Sequence, residues 1–221
     1  PAQVTGFDVS SKLFVVSQHS DGLSVSAESV ITEIEEAFSE GVYAGKYELH
    51  TEVVPAPNAD LASRVANLKL VSSAKTYAEA PDAPRDNNIS LIVRALNGHV
   101  VMPGETFSFN GVIGRRTPEK GFQAAGAIFD GALVKTVGGG ICQPNTTLYQ
   151  AVLKADLKVI ERHPHTFPSS YTAIGIDAAI DWGNQDMKFV NNTDYPVAIV
   201  AWYKKPEIGF QIYGRALPNG M

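Results

Sequence analysis

The chain has 221 residues, of which 44% are hydrophobic, so it can bury a substantial core in one large domain or two small ones. Its formal net charge of -5 argues against binding to nucleic acid or to an anionic membrane surface, because both need a basic face. No apolar run reaches the length of a transmembrane helix, and the single cysteine excludes an intrachain disulfide and a cysteine-rich zinc site.

The first 75 residues predict a small α+β module. The apolar run at 12–16 is typical of a strand, and apolar residues at helical spacing predict a helix over 26–41. Apolar and polar residues alternate over 47–53, which is the pattern of a half-buried strand. After a proline-rich break, Asn58 is positioned to cap a short helix over 61–68.

Residues 76–86 are rich in Ala, Pro and Asp, and this composition predicts a linker before a larger domain at 87–217. In that domain Asp86 or Asn87 would cap a helix that ends at 97–98, where an Asn-Gly pair is typical of a left-handed C-cap.

Further elements follow along the larger domain. In chain order they are strands at 100–102 and 106–109, a helix after Cys142 that buries Leu148, Ala151, Val152 and Ala155, a strand at 157–161, and strands at 187–190, 197–203 and 209–213. The fold class is therefore predicted to be α+β, with a small N-terminal module and a larger mixed domain that ends in an antiparallel β-meander.

The sole cysteine follows three consecutive glycines and stands in the first turn of a predicted helix. Glycines permit close approach of other groups to the backbone, and the free N–H groups of a first turn stabilise an anion. A cysteine in this position is favoured as the thiolate, its nucleophilic form, so Cys142 is the predicted catalytic residue. The alternative is that Cys142 is a small buried residue and the glycines are a packing device.

Two histidines after the next predicted strand are candidate bases for this thiol. A cysteine nucleophile needs a base within hydrogen-bond reach and often a third group that orients the base. His165 is preferred over His163, and either Asp177 or Asp181 would hold the imidazole ring.

Several blocks occur in the order found in one family of bacterial cell-envelope proteins. They are PGETFSFN at 103–110, GRRT at 114–117, GGGICQ at 138–143, TTLY at 146–149, ER at 161–162 with His165, GIDA at 175–178 and DMKFVNNT at 186–193. The chain from about 87 to 213 thereby resembles the VanW-like proteins, a family named after a gene of vancomycin-resistance clusters. Residues 1–75 resemble more weakly the peptidoglycan-binding module that often precedes this domain.

The resemblance implies an exported protein that engages peptidoglycan, in the cell wall or anchored to the membrane through regions outside this sequence. The expected chemistry is acyl transfer on stem peptides, either hydrolysis or transpeptidation, with no metal or organic cofactor. The alternative is a non-catalytic peptidoglycan-binding or scaffolding module. The sequence leaves the oligomeric state open.

Binding residues are expected around the thiol. Either the backbone amides of residues 140–143 or the Gln143 side chain would stabilise an oxyanion. Paired arginines would bind a peptide carboxylate, and an aromatic side chain would line a groove. These residues are Gly139, Gly140, Gln143, Arg115, Arg116 and Trp182.

Overall fold

The computed structural model describes residues 1–47, 51–129 and 132–215. The chain divides into two compact units, one made of Pro1–Thr5 and Val16–Ser63 and the other of Gly6–Val15 and Arg64–Met221. Among the described residues, no helix has both the length and the apolar character needed to cross a membrane.

The N-terminal elements are short. They are β1 (Val4–Asp8), β2 (Leu13–Val16), β3 (Gly22–Val25), α1 (Ala27–Ser39), β4 (Thr51–Val54) and α2 (Leu61–Ala66). The helix predicted from residue 26 is present as α1, whereas β1 and β3 were not predicted. β3 and β4 pair antiparallel, so the strand–helix–strand order here is not a parallel crossover unit. The part of the predicted strand at 48–50 lies outside the described residues.

The remaining elements build the larger unit. They are β5 (Lys69–Tyr77), α3 (Ala83–Leu96), β6 (Val100–Val101), β7 (Thr106–Ser108), α4 (Phe109–Ile113), a 3₁₀ turn (Pro118–Lys120), β8 (Ala124–Phe129), β9 (Ala132–Val137), α5 (Cys142–Lys154), β10 (Lys158–Glu161), β11 (Lys188–Val190), β12 (Val197–Lys204) and β13 (Glu207–Gly214). Four strands form an antiparallel sheet in the order β5-β13-β12-β6, three form a second in the order β10-β11-β7, and β8 pairs with β9. The predicted α+β class is confirmed.

The segment predicted as a linker contains regular structure. Residues 76–86 hold the end of β5 and the start of α3. The side chain of Asp82 accepts a hydrogen bond from the backbone N–H of Arg85 at 3.1 Å and caps α3. Asp86 and Asn87, the predicted caps, therefore lie inside the helix rather than at its start.

The predicted C-terminal meander is correct only for its last two strands. β12 and β13 form a hairpin, but β11 pairs with β7 and β10 in the other sheet. The reason lies in Asn191, whose side-chain amide donates to the carbonyls of Val101 at 2.9 Å and Tyr195 at 2.8 Å. These bonds hold the chain as it leaves β11 and redirect it before β12 begins.

Helix α5 is buried on all sides along its first two turns, where residues 143–149 are all buried. It packs against β5 and β13 of the four-stranded sheet. Its predicted apolar face is confirmed, since Leu148, Ala151, Val152 and Ala155 are all buried. The Ser72 hydroxyl on β5 donates to the Ala151 carbonyl at 2.6 Å. This packing determines where the first turn of α5, and with it Cys142, is held.

Candidate functional site

The turn before Cys142 requires glycine because other groups approach its backbone closely. A Cβ on Gly139 would lie 2.3 Å from the Ala125 carbonyl oxygen of β8. A Cβ on Gly140 would lie 2.5 Å from Cγ of Arg85, and Gly140 also has a positive φ of 93°. The Gly139 carbonyl accepts from the Asn88 side chain at 3.0 Å. Contacts with α3 and β8 therefore set the path by which the chain reaches Cys142.

Replacing Gly139 with alanine should destabilise the protein strongly. The new methyl group would overlap backbone atoms that cannot turn aside, so we expect a loss of about 3 kcal/mol in the free energy of unfolding. Gly6→Ala is the control, because a Cβ at Gly6 meets nothing within 4 Å. Urea unfolding of both variants measures the effect, and equal midpoints would contradict this account of the turn.

Cys142 is the first residue of α5 and is half-buried. Its sulfur donates to the carbonyl oxygen of Ile180 at 3.6 Å. It also lies close enough to the His165 imidazole to raise the pKa of that ring. The first N–H groups of a helix have no acceptor within the helix, and they favour a negative charge at this position. The structure thus brings the thiol and the preferred histidine together.

Asp177 holds the other side of the His165 ring. Its Oδ2 lies 2.6 Å from Nδ1 of His165 and accepts the His165 backbone N–H at 2.7 Å. Arg162 donates two hydrogen bonds to Asp177. Its Nη2 lies 2.7 Å from Oδ1, and its Nε lies 2.7 Å from the Asp177 carbonyl oxygen. Arg162, Asp177 and His165 therefore form one continuous series of hydrogen bonds, with Cys142 near the ring at its end.

The sequence left open whether Asp177 or Asp181 orients the imidazole of His165. In the structure, Asp181 contacts other groups. Its Oδ2 accepts from the Asn184 side chain at 2.6 Å within a turn closed by a backbone bridge to Gln185. Asp177 is the carboxylate at the imidazole.

The charge states follow from these contacts. The hydrogen bond to Cys142 raises the pKa of His165, burial opposes this, and the bond to Asp177 adds to the increase. Burial disfavours ionisation of Asp177, but the backbone N–H and ring of His165 outweigh it and lower the pKa of this carboxyl. The site therefore favours a protonated imidazole beside an ionised carboxylate.

Removing the sulfur should lower the pKa of His165. In a Cys142→Ala variant the largest cause of the increase is gone, while the desolvation that lowers the value remains. The imidazolium should then lose its proton at a lower pH than in the unaltered protein. Titration of the His165 ring by NMR measures both values. His163→Gln serves as the control, because its ring contacts Glu161 at 3.1 Å instead, and an unchanged His165 titration in Cys142→Ala would contradict the contact.

Gln143 is buried, with 1% of its surface exposed. Its Oε1 accepts from Nη2 of Arg85 at 2.6 Å, and its Nε2 donates to the Thr76 hydroxyl at 3.2 Å. The side chain predicted to stabilise an oxyanion is thus engaged inside the protein, where it links α5 to β5 and α3.

The remaining predicted binding side chains differ in their exposure to solvent. Trp182 is 46% exposed, and Arg115 is also exposed. Arg116 is half-buried, and burial lowers the pKa of its guanidinium, which Cys142, Asp186 and Asp181 oppose. In the part of the chain that the structure describes, no three His, Cys, Asp or Glu side chains are grouped so that they would hold a metal ion.

The comparisons with known proteins agree with the sequence blocks. The model of the family described as "VanW like protein" matches residues 84–213, which is more than half of the chain. The chain belongs to the VanW-like family. Cys142, His165 and Asp177 all fall within the matched region.

Two curated proteins are similar to this VanW-like chain. It is 38% identical over 174 residues to the uncharacterized protein YoaR of Bacillus subtilis (strain 168), which covers 76% of this chain and 57% of YoaR. It is 30% identical over 139 residues to the vancomycin B-type resistance protein VanW of Enterococcus faecalis (strain ATCC 700802 / V583), covering 61% of this chain and 50% of that protein. The chain spans about half the length of these curated relatives. No solved structure matches it significantly.

Two residues of the VanW-like site were not predicted as functional. Arg162 stands in the same sequence block as His165, and its positive charge complements Asp177, one of the two carboxylates predicted to orient the ring. The Tyr171 hydroxyl oxygen lies 3.4 Å from Nε2 of His165. Burial is the main cause that raises the pKa of Tyr171 to about 12, so its hydroxyl stays protonated. The sequence around Tyr171 gives no signal that its hydroxyl faces an imidazole.

Proposed function

We propose that this VanW-like protein is a cell-envelope enzyme that performs acyl transfer on peptidoglycan stem peptides, with Cys142 as the nucleophile. The observation that supports this most directly is the position of His165 between Cys142 and Asp177. The ring lies close enough to the sulfur for Cys142 to raise its pKa, and its Nδ1 lies 2.6 Å from a carboxylate oxygen. This is the order of nucleophile, base and orienting group that acyl transfer requires.

In the proposed first step the sulfur of Cys142 attacks the carbonyl carbon of a peptide amide. The thiol proton is held by His165, and the carbonyl π electrons move to oxygen to give a tetrahedral anion. Collapse of this anion breaks the C–N bond, and His165 returns the proton to the leaving nitrogen. The products of the step are a thioester on Cys142 and a free amine.

The second step regenerates the thiol. Either water or the amine of another stem peptide attacks the thioester carbon, His165 accepts the proton of the nucleophile, and the sulfur leaves. Water gives hydrolysis and an amine gives transpeptidation. Asp177 keeps the ring oriented in both steps and stabilises the imidazolium.

The choice of substrate rests on the family. One relative is named a vancomycin B-type resistance protein, and the family resemblance implies a protein of the cell envelope that engages peptidoglycan. We extend the cell-envelope setting and the engagement of peptidoglycan to this chain. We therefore infer an extracytoplasmic location, in the wall or held at the membrane by regions outside this sequence.

Mass spectrometry of the intact protein tests the proposal. The unaltered protein is incubated with soluble muropeptides of known sequence and quenched with acid. We expect an acyl adduct on Cys142, together with a released amine fragment, and neither product with Cys142→Ala. A folded protein that forms no adduct and no product with any stem peptide of the panel would contradict the enzymatic function.

The second candidate is a non-catalytic peptidoglycan-binding module. Cys142 packs against the hydrophobic core, and the glycine turn is packed tightly against α3 and β8, as a purely structural device would be. Under this alternative, Cys142→Ala and the unaltered protein bind purified sacculi equally and neither changes their composition.

A further inference from the structure

Tyr171 stands at the nitrogen of the His165 ring that remains available for proton transfer. Asp177 occupies Nδ1 at 2.6 Å, so Nε2 is the ring atom left to exchange protons with a thiol or a substrate. The hydroxyl oxygen of Tyr171 lies 3.4 Å from this Nε2. The distance is long for a hydrogen bond, and catalytic contacts of this kind shorten when substrate binds. A group that gives a proton to Nε2, or takes one from it, therefore has the Tyr171 hydroxyl beside it.

Contacts with the imidazole and with α5 fix the position of Tyr171. Its ring meets the His165 ring edge to face, with the centres 6.3 Å apart and the planes at 82°. The next residue, Thr172, accepts a hydrogen bond from the side-chain amide of Gln150 on α5 at 2.7 Å. The same amide donates to the Ile176 carbonyl at 3.3 Å. Helix α5 therefore carries the thiol at its start and, through Gln150, holds the segment that contains Tyr171.

The contact between Tyr171 and His165 lies in a loop that is open to solvent. His165 keeps 20% of its side chain exposed, and Tyr171 is partly exposed. The loop residues at 166–168, 170 and 173–176 are all exposed. A substrate nitrogen can therefore reach this contact from solvent. Burial, though partial, raises the pKa of Tyr171 to about 12, so its hydroxyl keeps its proton and does not compete with the imidazole for one.

We propose that Tyr171 is a further catalytic residue, whose hydroxyl oxygen binds the amine nitrogen that leaves from, or enters at, Nε2 of His165. A primary amine that attacks the Cys142 thioester presents two N–H groups while its lone pair points at the carbonyl carbon. One N–H gives its proton to Nε2, and the other donates a hydrogen bond to the Tyr171 oxygen. The C–N bond forms, the C–S bond breaks with its electrons on sulfur, and the phenol keeps its proton throughout.

This inference rests on the proposed function and deepens it toward an amine acceptor. Water needs the Tyr171 contact less, because solvent in an open loop can accept its second hydrogen. Tyr171 would therefore favour transfer to an amine over hydrolysis. If the hydroxyl only packs against the imidazole, its removal would slow both outcomes by the same factor and leave their ratio unchanged.

The ratio of the two products tests this role. The protein receives a soluble muropeptide that acylates Cys142, with glycinamide as the amine, and mass spectrometry quantifies the amide and the free acid. Tyr171→Phe keeps the ring and loses only the hydroxyl, so we expect the ratio of amide to acid to fall about three- to tenfold, the effect of one hydrogen bond. Tyr149→Phe is the matched control, because it removes another tyrosine hydroxyl and keeps the ring whose centre lies 5.7 Å from the Arg162 guanidinium. Its ratio should equal that of the unaltered protein.

A secondary amine gives an answer that depends on no variant. Sarcosinamide is glycinamide with a methyl group on the nitrogen, and its single N–H cannot serve both Nε2 and Tyr171. We expect the unaltered protein to transfer the acyl group to glycinamide at least about threefold faster. Tyr171→Phe should reduce this preference. Equal rates with the two amines in the unaltered protein would overturn the inference, whether or not the phenylalanine variant folds.

The outcomes for the inference and for the proposed function are distinct. If Cys142 is acylated but Tyr171→Phe keeps the product ratio of the unaltered protein, or if glycinamide yields no amide at all, the role of Tyr171 is wrong and acyl transfer stands. If no adduct and no product form with any muropeptide of the panel, acyl transfer is wrong and the role of Tyr171 falls with it.

Discussion

Replacing His165 with glutamine is expected to lower the rate of Cys142 acylation by about 10²–10⁴-fold, the contribution typical of a general base. Glutamine keeps a polar side chain of similar length but cannot take the thiol proton. Its amide also cannot form the ionic contact with Asp177 that the imidazolium makes at 2.6 Å. The measurement is the initial rate of adduct formation, followed by mass spectrometry on quenched samples.

The matched control for this variant is His163→Gln. His163 lies two residues away and contacts Glu161 at 3.1 Å, and its backbone pairs with Ala179. We expect it to acylate at nearly the rate of the unaltered protein. If the two histidine variants lose activity equally, or if His165→Gln retains full activity, His165 is not the base.

Asp177→Asn is expected to impair both activity and stability. The substitution leaves Arg162 and the His165 imidazolium without a counter-charge, although Asp177 exposes only 10% of its side chain. We expect a loss of about 3 kcal/mol in unfolding free energy, the lower end for breaking a buried pair, because Arg162 keeps 22% exposure and some contact with water. Activity should fall by about 10³-fold, since the ring loses its orientation and the stabilisation of its charged form.

Asp181→Asn separates this effect from a general effect of charge removal. Asp181 stands four residues further on and accepts from Asn184 in a surface turn. Its substitution should leave both the urea midpoint and the acylation rate close to those of the unaltered protein. A larger loss in Asp181→Asn than in Asp177→Asn would show that the carboxylates had been assigned the wrong way round.

Local signals were sufficient to predict the start of α5. The triple glycine, the apolar spacing after it and the strand that follows are all short-range features, and they place Cys142 and His165 at the ends of neighbouring elements. Local sequence signals could not decide whether Asp177 or Asp181 orients the imidazole. Both are aspartates in one irregular segment, and what separates them is the Arg162 side chain, which reaches across 15 positions to Asp177.

Strand β5 was missed because its buried face is not apolar. The residues that point inward include Ser72 and Thr76, which are 8% and 3% exposed. Their hydroxyls bind α5, Ser72 through the Ala151 carbonyl and Thr76 through the Thr147 hydroxyl at 2.7 Å. Hydrophobic periodicity cannot detect a strand that packs through hydroxyl groups. The path after β11 was missed for a related reason, since it depends on the side-chain amide of Asn191.

The reactivity of the thiol is the most direct test of the account, because the chain has one cysteine and every label therefore reports on Cys142. Iodoacetamide is added to the folded protein at neutral pH, and labelling is followed by mass spectrometry beside a His165→Gln sample. The account predicts complete labelling of the folded protein and a rate at least about tenfold slower without the imidazole. Labelling that begins only when urea unfolds the chain, or that proceeds at the same rate in both proteins, would contradict it.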